Sequence, residues 1–328
     1  MSFCNDKNTH AASRMADFNP YATPCVYFDG GYKVDLGAGS TPSAKATYLN
    51  SLSQCGALTV SDLDAEVLVL WMGNATMKIM VKVTNNEATP YRGRLRVYVN
   101  EIVSSFNWKD TAGKMYTFPF LAFAFNDQII INAGDTWEGT MMWNGNDYNS
   151  GHGQNFGSIQ RDNLMVIAAV FNNAWHQGYS KPPSAFPFNA YYPDEVVGAT
   201  PAPLSADAFS VSETGGTVNL DLQPGASYAL RNYLIIGSAS GTTPGLTLPG
   251  GLNLPVNWDA FSDLEMSLLN VAIFMNFMGQ VSPSGTASAQ LVVPALPPGY
   301  AGTMMYYAYT MNNPFNFASN PIEIEIVP

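Results

Sequence analysis

The chain has 328 residues, of which 47% are hydrophobic and only 12% charged, with 14 Lys+Arg against 25 Asp+Glu and a formal net charge of −11. So few basic residues, none of them clustered, exclude a phosphate-neutralising nucleic-acid surface, and no apolar run approaches the roughly 18 to 20 residues of a membrane-spanning helix. Gly (28), Pro (22), Ser, Thr and Asn replace the missing charge and punctuate short strands, so a mainly β chain of more than one domain is predicted.

Residues 1–57 form the first stretch, expected to be a short α/β segment. The start, Met1-Ser2-Phe3-Cys4-Asn5-Asp6-Lys7, lacks the basic and apolar regions of a signal peptide. Either the protein stays in the cytosol or this chain begins downstream of its true start. A helix is predicted over residues 6–17, and Pro20 and Pro24 then forbid its continuation. Cys25-Val26-Tyr27-Phe28 and Tyr32-Lys33-Val34-Asp35-Leu36 flank Asp29-Gly30-Gly31, a hairpin signal because Gly accepts positive φ without a Cβ clash. A second helix is predicted over residues 42–54, with Gly56 as its stop. The three cysteines, Cys4, Cys25 and Cys55, all lie here. Their number is odd and they match no C-x-x-C or zinc spacing, so they read as buried or incidental thiols.

Residues 58–200 turn to strand patterns. Runs at 66–71, 77–83, 94–99, 128–131, 136–143 and 164–171 are β-branched or alternating and are bounded by Asn, Gly or Pro. Six strands at this spacing predict an antiparallel β-sandwich. Lys78, Lys82, Arg94 and Arg96 alternate with apolar residues and are expected on solvent faces. Pro201-Ala202-Pro203-Leu204-Ser205 reads as a linker. Residues 201–328 then carry further strands at 216–222, 233–236, 289–293 and 322–327, with one helix over 258–270, and predict a second antiparallel sandwich.

Several strings resemble a known architecture. Asn5-Asp6-Lys7-Asn8, Arg14, Pro24 and Phe28-Asp29-Gly30-Gly31-Tyr32 resemble the C-terminal half of a thioredoxin-like domain of exported bacterial proteins. The resemblance implies that Thr23-Pro24 stands at the cis-proline step facing a redox dithiol. Blocks 85–101 and 162–171 look like the β-sandwich of Omp28-related outer-membrane proteins. Leu234 through Gly241, Pro244-Gly245-Leu246 and Asn257-Trp258-Asp259 look like a C-terminal β module of secreted planctomycete proteins. The strand and C-x-x-C that such redox chemistry requires would lie upstream of Ser2, so the incomplete sheet is expected to expose an edge that another chain could pair with.

Candidate chemistry is sparse. Cys25 beside Pro24 is the redox candidate, without a partner thiol nearby in sequence. His10, His152 and His176 match no zinc pattern. Gly237-Ser238-Ala239-Ser240-Gly241 misses the nucleophile elbow because its centre is Ala239. Asn144, Asn146, Asp147 and Asn149 are the calcium candidates, although the cluster lacks the acidic spacing of an EF-hand and reads first as a polar turn. Trp175, Tyr179, Tyr191 and Tyr192 crowd a Pro-rich stretch; they are candidate interaction residues on what reads as a long loop over the end of a sandwich.

These readings lead to an expected non-enzymatic extracellular, cell-surface or periplasmic structural protein, without a required cofactor. It is expected to associate with other protein chains, its own copies or the upstream part of a longer chain, through an open sheet edge. It is not expected to bind nucleic acid or insert into a membrane. A thiol-disulfide oxidoreductase module and a carbohydrate-binding module are the alternatives.

Overall fold

The computed structural model describes every residue except Ala38. The chain is mainly β and divides into two compact units, one of Met1–Val69 with Asn74–Pro201 and one of Leu70–Gly73 with Ala202–Pro328. Residues 1–57 belong to the first unit.

That unit opens with α1 (Thr9–Ala16), whose first turn is capped by the Asn8 side chain. After a cis Thr23–Pro24 peptide, β1 (Cys25–Phe28) and β2 (Lys33–Leu36) form an antiparallel hairpin around Asp29–Gly31, as the Asp-Gly-Gly signal predicts. Helix α2 (Thr41–Cys55) follows, its Ser40 side chain accepting from the Ser43 N–H. The sandwich comprises β3 (Leu63–Gly73), β4 (Thr76–Asn85), β5 (Tyr91–Glu101), β6 (Phe120–Ile131), β7 (Thr136–Asn144), β8 (Leu164–Lys181) and β9 (Ala185–Ala199). They make a three-stranded sheet, β3-β4-β7, and a four-stranded sheet, β6-β5-β8-β9.

Alternation explains the core. On β4, Met77, Ile79, Val81 and Val83 are buried while Lys78 and Lys82 point the other way. On the second sheet Leu95, Val97, Val99, Val166, Ala168 and Val170 are buried in the same rhythm. Each of these side chains larger than Ala168 contributes about 1.5–3 kcal/mol by leaving water.

The outer face of the four-stranded sheet departs from expectation. Arg96 does not face solvent. Helix α1 lies over this face and packs Ala11 against Tyr98, Phe120, Ala169 and Phe171. Arg96 donates to Asp17 at 3.0 Å with 13% of its side chain exposed, and Arg14 donates to Asp17 (2.9 Å) and to the Tyr98 hydroxyl (3.3 Å). Asn8 anchors the helix by donating to the carbonyls of Phe120 and Leu121 at 2.8 Å each.

The second unit holds β10 (Leu204–Ala206), β11 (Ser210–Ser212), β12 (Gly216–Leu222), β13 (Asn232–Ser238), β14 (Leu246–Thr247), β15 (Asn253–Leu254), α3 (Ala260–Ser267), β16 (Phe274–Met275), β17 (Met278–Gln280), β18 (Ala287–Val293), β19 (Met304–Met311) and β20 (Ile322–Val327). Sheets β10-β12-β18-β16 and β11-β20-β19-β13-β17 carry its core, antiparallel apart from the β11–β20 pair. Leu204 and Ser205, expected in a linker, are fully buried in β10, where Asn320 bonds both the N–H and the carbonyl of Leu204. Helix α3 starts with a reciprocal Asp259–Ser262 capping box.

Candidate functional site

The aromatic stretch at 175–192 is not a loop. Strands β8 and β9 run on past the end of the sandwich as a paired hairpin arm. A register shift between the Phe171↔Pro193 and Trp175↔Tyr191 pairs launches it. The buried carboxylate of Asp194 secures this bulge by accepting from the Tyr91 hydroxyl (3.0 Å), the Ser61 hydroxyl (3.2 Å) and the Asn172 amide (3.4 Å). Burial, reinforced by the charge of Asp194, pushes the nearby Asp29 carboxyl up to about 6.

Period-two geometry gives the arm two faces. The inner face carries His176, Gly178 and Ser180 from β8 and Phe188, Ala190 and Tyr192 from β9. Phe188 and Ala190 pack with Phe18, Met15, Tyr27 and Val34, so α1 and the β1–β2 hairpin clamp this side. Tyr27 meets the Ser180 hydroxyl at 2.7 Å, and Ser180 donates to the carbonyl of Phe18. Glycine permits the close fit. A Cβ on Gly30 would lie 1.8 Å from the Tyr191 carbonyl oxygen, and one on Gly178 would lie 2.4 Å from the Phe188 ring. Tyr192 belongs to this inner side, where it stacks on His176 with ring centroids 4.3 Å apart.

The outer face carries Trp175 opposite Tyr191, Gln177 opposite Asn189 and Tyr179 opposite Pro187. Trp175 is 57% exposed and Tyr191 37%. The structure therefore brings Trp175, Tyr179 and Tyr191 onto one open surface and turns Tyr192 away from it. Residues 172–193 contain no Asp or Glu and a single Lys, Lys181, in a chain of net charge −11. Strand β9 is the sheet's edge, and Pro187 and Pro193 on it lack the N–H that a further strand would need.

The remaining candidates separate. All three cysteines are free, and burial pushes each thiol up: Cys25, Cys55, and Cys4 to about 12. Such thiols hold little of the nucleophilic thiolate near neutral pH. Among the described residues the β1–β2 sheet, which Cys25 itself begins, has no third strand. Asn144, Asn146, Asp147 and Asn149 do sit together around one 3-10 turn. Two of their amide oxygens are already engaged, Asn144 accepting from the Asn146 N–H at 2.9 Å and Asn149 from the Gly151 N–H at 2.8 Å. His10 lies near Tyr148, whereas His176 is on the arm. Among the described residues no group of three His, Cys, Asp or Glu side chains converges as metal ligands would.

Ser238 and Ser240 surround a carboxylate instead of forming a nucleophile. Asp259 accepts from the Ser238 hydroxyl and from the Ala239 and Ser240 N–H groups. Burial opposes its ionisation, but these bonds and that from Ser262 outweigh burial and hold the carboxyl at about 2. A polar cleft that the local sequence patterns did not reveal lies beside the Asn144–Asn149 turn, lined by Phe106, Asn146, Asn149, Gln154, Asn155 and Ser158. Its sequence signal is the amide- and Gly-rich run 144–158; Phe106 arrives from elsewhere in the chain.

No family model and no curated protein matches the chain. Among solved structures it is similar to HBP35 of Porphyromonas gingivalis, at 9% identity and a TM-score of 0.39 over 98% of this chain and 82% of that one. It is also similar to a GH3 β-glucosidase of Bifidobacterium adolescentis, at 14% identity and a TM-score of 0.22 over 44% of this chain and 18% of that one. A red sea bream transglutaminase aligns at 10% identity and a TM-score of 0.22, over 89% of this chain and 34% of that one. The chain thus spans less than a fifth of that glucosidase and about a third of the transglutaminase. These likenesses carry no argument about function.

Proposed function

We infer that this is a non-catalytic interaction protein of the cell exterior, which associates with further copies of itself through the outer face of the β8–β9 arm. The observation that carries this reading is the open Trp175–Tyr191 surface on an acid-free arm. Exposed Trp and Tyr supply large contact area at low side-chain entropy cost and dominate interface energetics. Two chains of charge −11 repel wherever acidic surfaces meet, so arm-to-arm contact is where their approach is least opposed. A two-fold contact would place each Trp175 against the partner arm. The prolines of β9 favour pairing by the face over pairing by that edge.

Light scattering across a concentration series tests the reading. Wild type should shift towards a dimer as concentration rises, and Trp175→Ala combined with Tyr191→Ala should remain monomeric. A wild-type chain that stays monomeric throughout removes the self-association.

A further inference from the structure

We propose that the cleft at Phe106 and the 149–155 turn is a binding site for a neutral saccharide. It shares no residue with the arm and does not depend on self-association. Its volume is about 740 Å³, within the roughly 300–1,000 Å³ of small-molecule clefts. Every side chain lining it is neutral. A charged ligand would lose hydration there without meeting a counter-charge, which disfavours ions and uronates.

The amides are oriented by their own bonding. Asn149 Oδ1 accepts from the Gly151 N–H (2.8 Å), Asn155 Oδ1 from the Gly157 N–H (3.3 Å), and Gln154 Oε1 from the Trp108 indole N–H (3.4 Å). All three partners are obligate donors, so each must meet the amide oxygen; this fixes which end of the amide is which. The three NH2 groups have no protein partner among the described residues. The Ser158 hydroxyl is likewise unpaired, and Asn146 Oδ1 remains as an acceptor while its NH2 bonds Asn144 Oδ1 at 3.0 Å. Hydroxyl groups both give and accept hydrogen bonds, and the ring oxygen of a sugar accepts, so a polyol satisfies this mixed set. Phe106 adds an apolar surface for the C–H face of a pyranose, backed by Phe156 at 5.5 Å and Trp108 at 5.4 Å between ring centroids.

The site is also held in shape before any ligand arrives. Asn149 and Asn155 form an antiparallel bridge, and the Ser150 N–H bonds the Gln154 carbonyl at 2.8 Å. Gly151 and Gly153 take φ of 80° and 84° at the tip. The Thr9 N–H donates to the Ser150 carbonyl at 2.8 Å, tying the turn to the start of α1. Such preorganisation lowers the entropy cost of binding.

The test titrates the full chain with neutral cello-, xylo-, manno- and galacto-oligosaccharides and with oligogalacturonate. The Trp108 indole N–H resonance is followed, because its acceptor lines the cleft. At least one neutral series should saturate and shift that resonance. Losing one hydrogen bond or the ring contact should weaken binding about tenfold, in each of Gln154→Ala, Ser158→Ala and Phe106→Ala. Trp175→Ala should leave the affinity unchanged, which separates this site from the arm. Phe106 packs on buried Phe156, so the Gln154 and Ser158 variants decide the matter if Phe106→Ala fails to fold. The proposal is overturned by absence of saturable binding in every neutral series, by stronger binding of oligogalacturonate, or by loss of binding in Trp175→Ala with none in Gln154→Ala.

Discussion

Glu265, fully shielded from solvent, makes the fold sensitive to pH. Both its carboxyl oxygens are buried without a well-formed hydrogen bond among the described residues, and burial pushes its pKa up to about 8, a weak approach of the Gly237 backbone N–H offsetting only part of that. The unfolded chain releases this proton near 4.5, the ordinary Glu value. Between those limits the native state holds a proton that the unfolded state has lost, so stability falls as pH rises through the window, by at most about 1.4 kcal/mol per unit. Urea unfolding at pH 5 and pH 8 should show the loss. Glu265→Gln should flatten it and be the more stable form at pH 8. At the same scale, Cys4 should resist iodoacetamide in the native protein and react once urea unfolds it, as expected of a buried thiol at about 12.

At the level of elements, the arm depends on Asp194 and on glycine. Asp194→Ala strands the Tyr91 hydroxyl and the Asn172 amide beneath the bulge and should cost about 2–3 kcal/mol, measured by denaturant unfolding. Gly178→Ala drives a methyl into the Phe188 ring. It should cost about 1–3 kcal/mol, and hydrogen exchange should quicken at 175–191 more than in the β4 core. The strands at 77–83, 94–99 and 164–171 were legible because strict alternation ties side chain to face. The arm was not, since Pro182, Pro183 and Pro187 read as loop residues. Two of these form the turn after Lys181, and the third lies on an edge strand where a missing N–H is harmless. Arg96 misleads for a different reason. Local alternation assigns it a face but not what covers that face, and the clue was Tyr98, an aromatic residue in the same register as the arginines. The cleft needs Phe106 beside residues 146–158, a proximity no local pattern encodes.

For the molecule as a whole, scarce charge and an acid-free arm set how association should respond to solution conditions. If contact is carried by aromatic burial, raising salt should strengthen dimerisation or leave it unchanged, because screening weakens the repulsion between chains of −11. A dimer that dissociates with salt would point to ion pairing instead. Sedimentation at low and high ionic strength distinguishes the two.

The clamp on the arm's inner face also orders events during synthesis. Phe18 and Tyr27 leave the ribosome early, yet Phe188 and Ala190, the residues they pack on, follow more than 160 positions later. Until β9 has emerged, Phe18, Tyr27 and Val34 lack the Phe188 and Ala190 surface they pack on, even though Ala11 can already meet Tyr98, Phe120 and Phe171. A nascent chain paused anywhere before residue 190 should therefore be a better substrate for a holding chaperone than the finished protein.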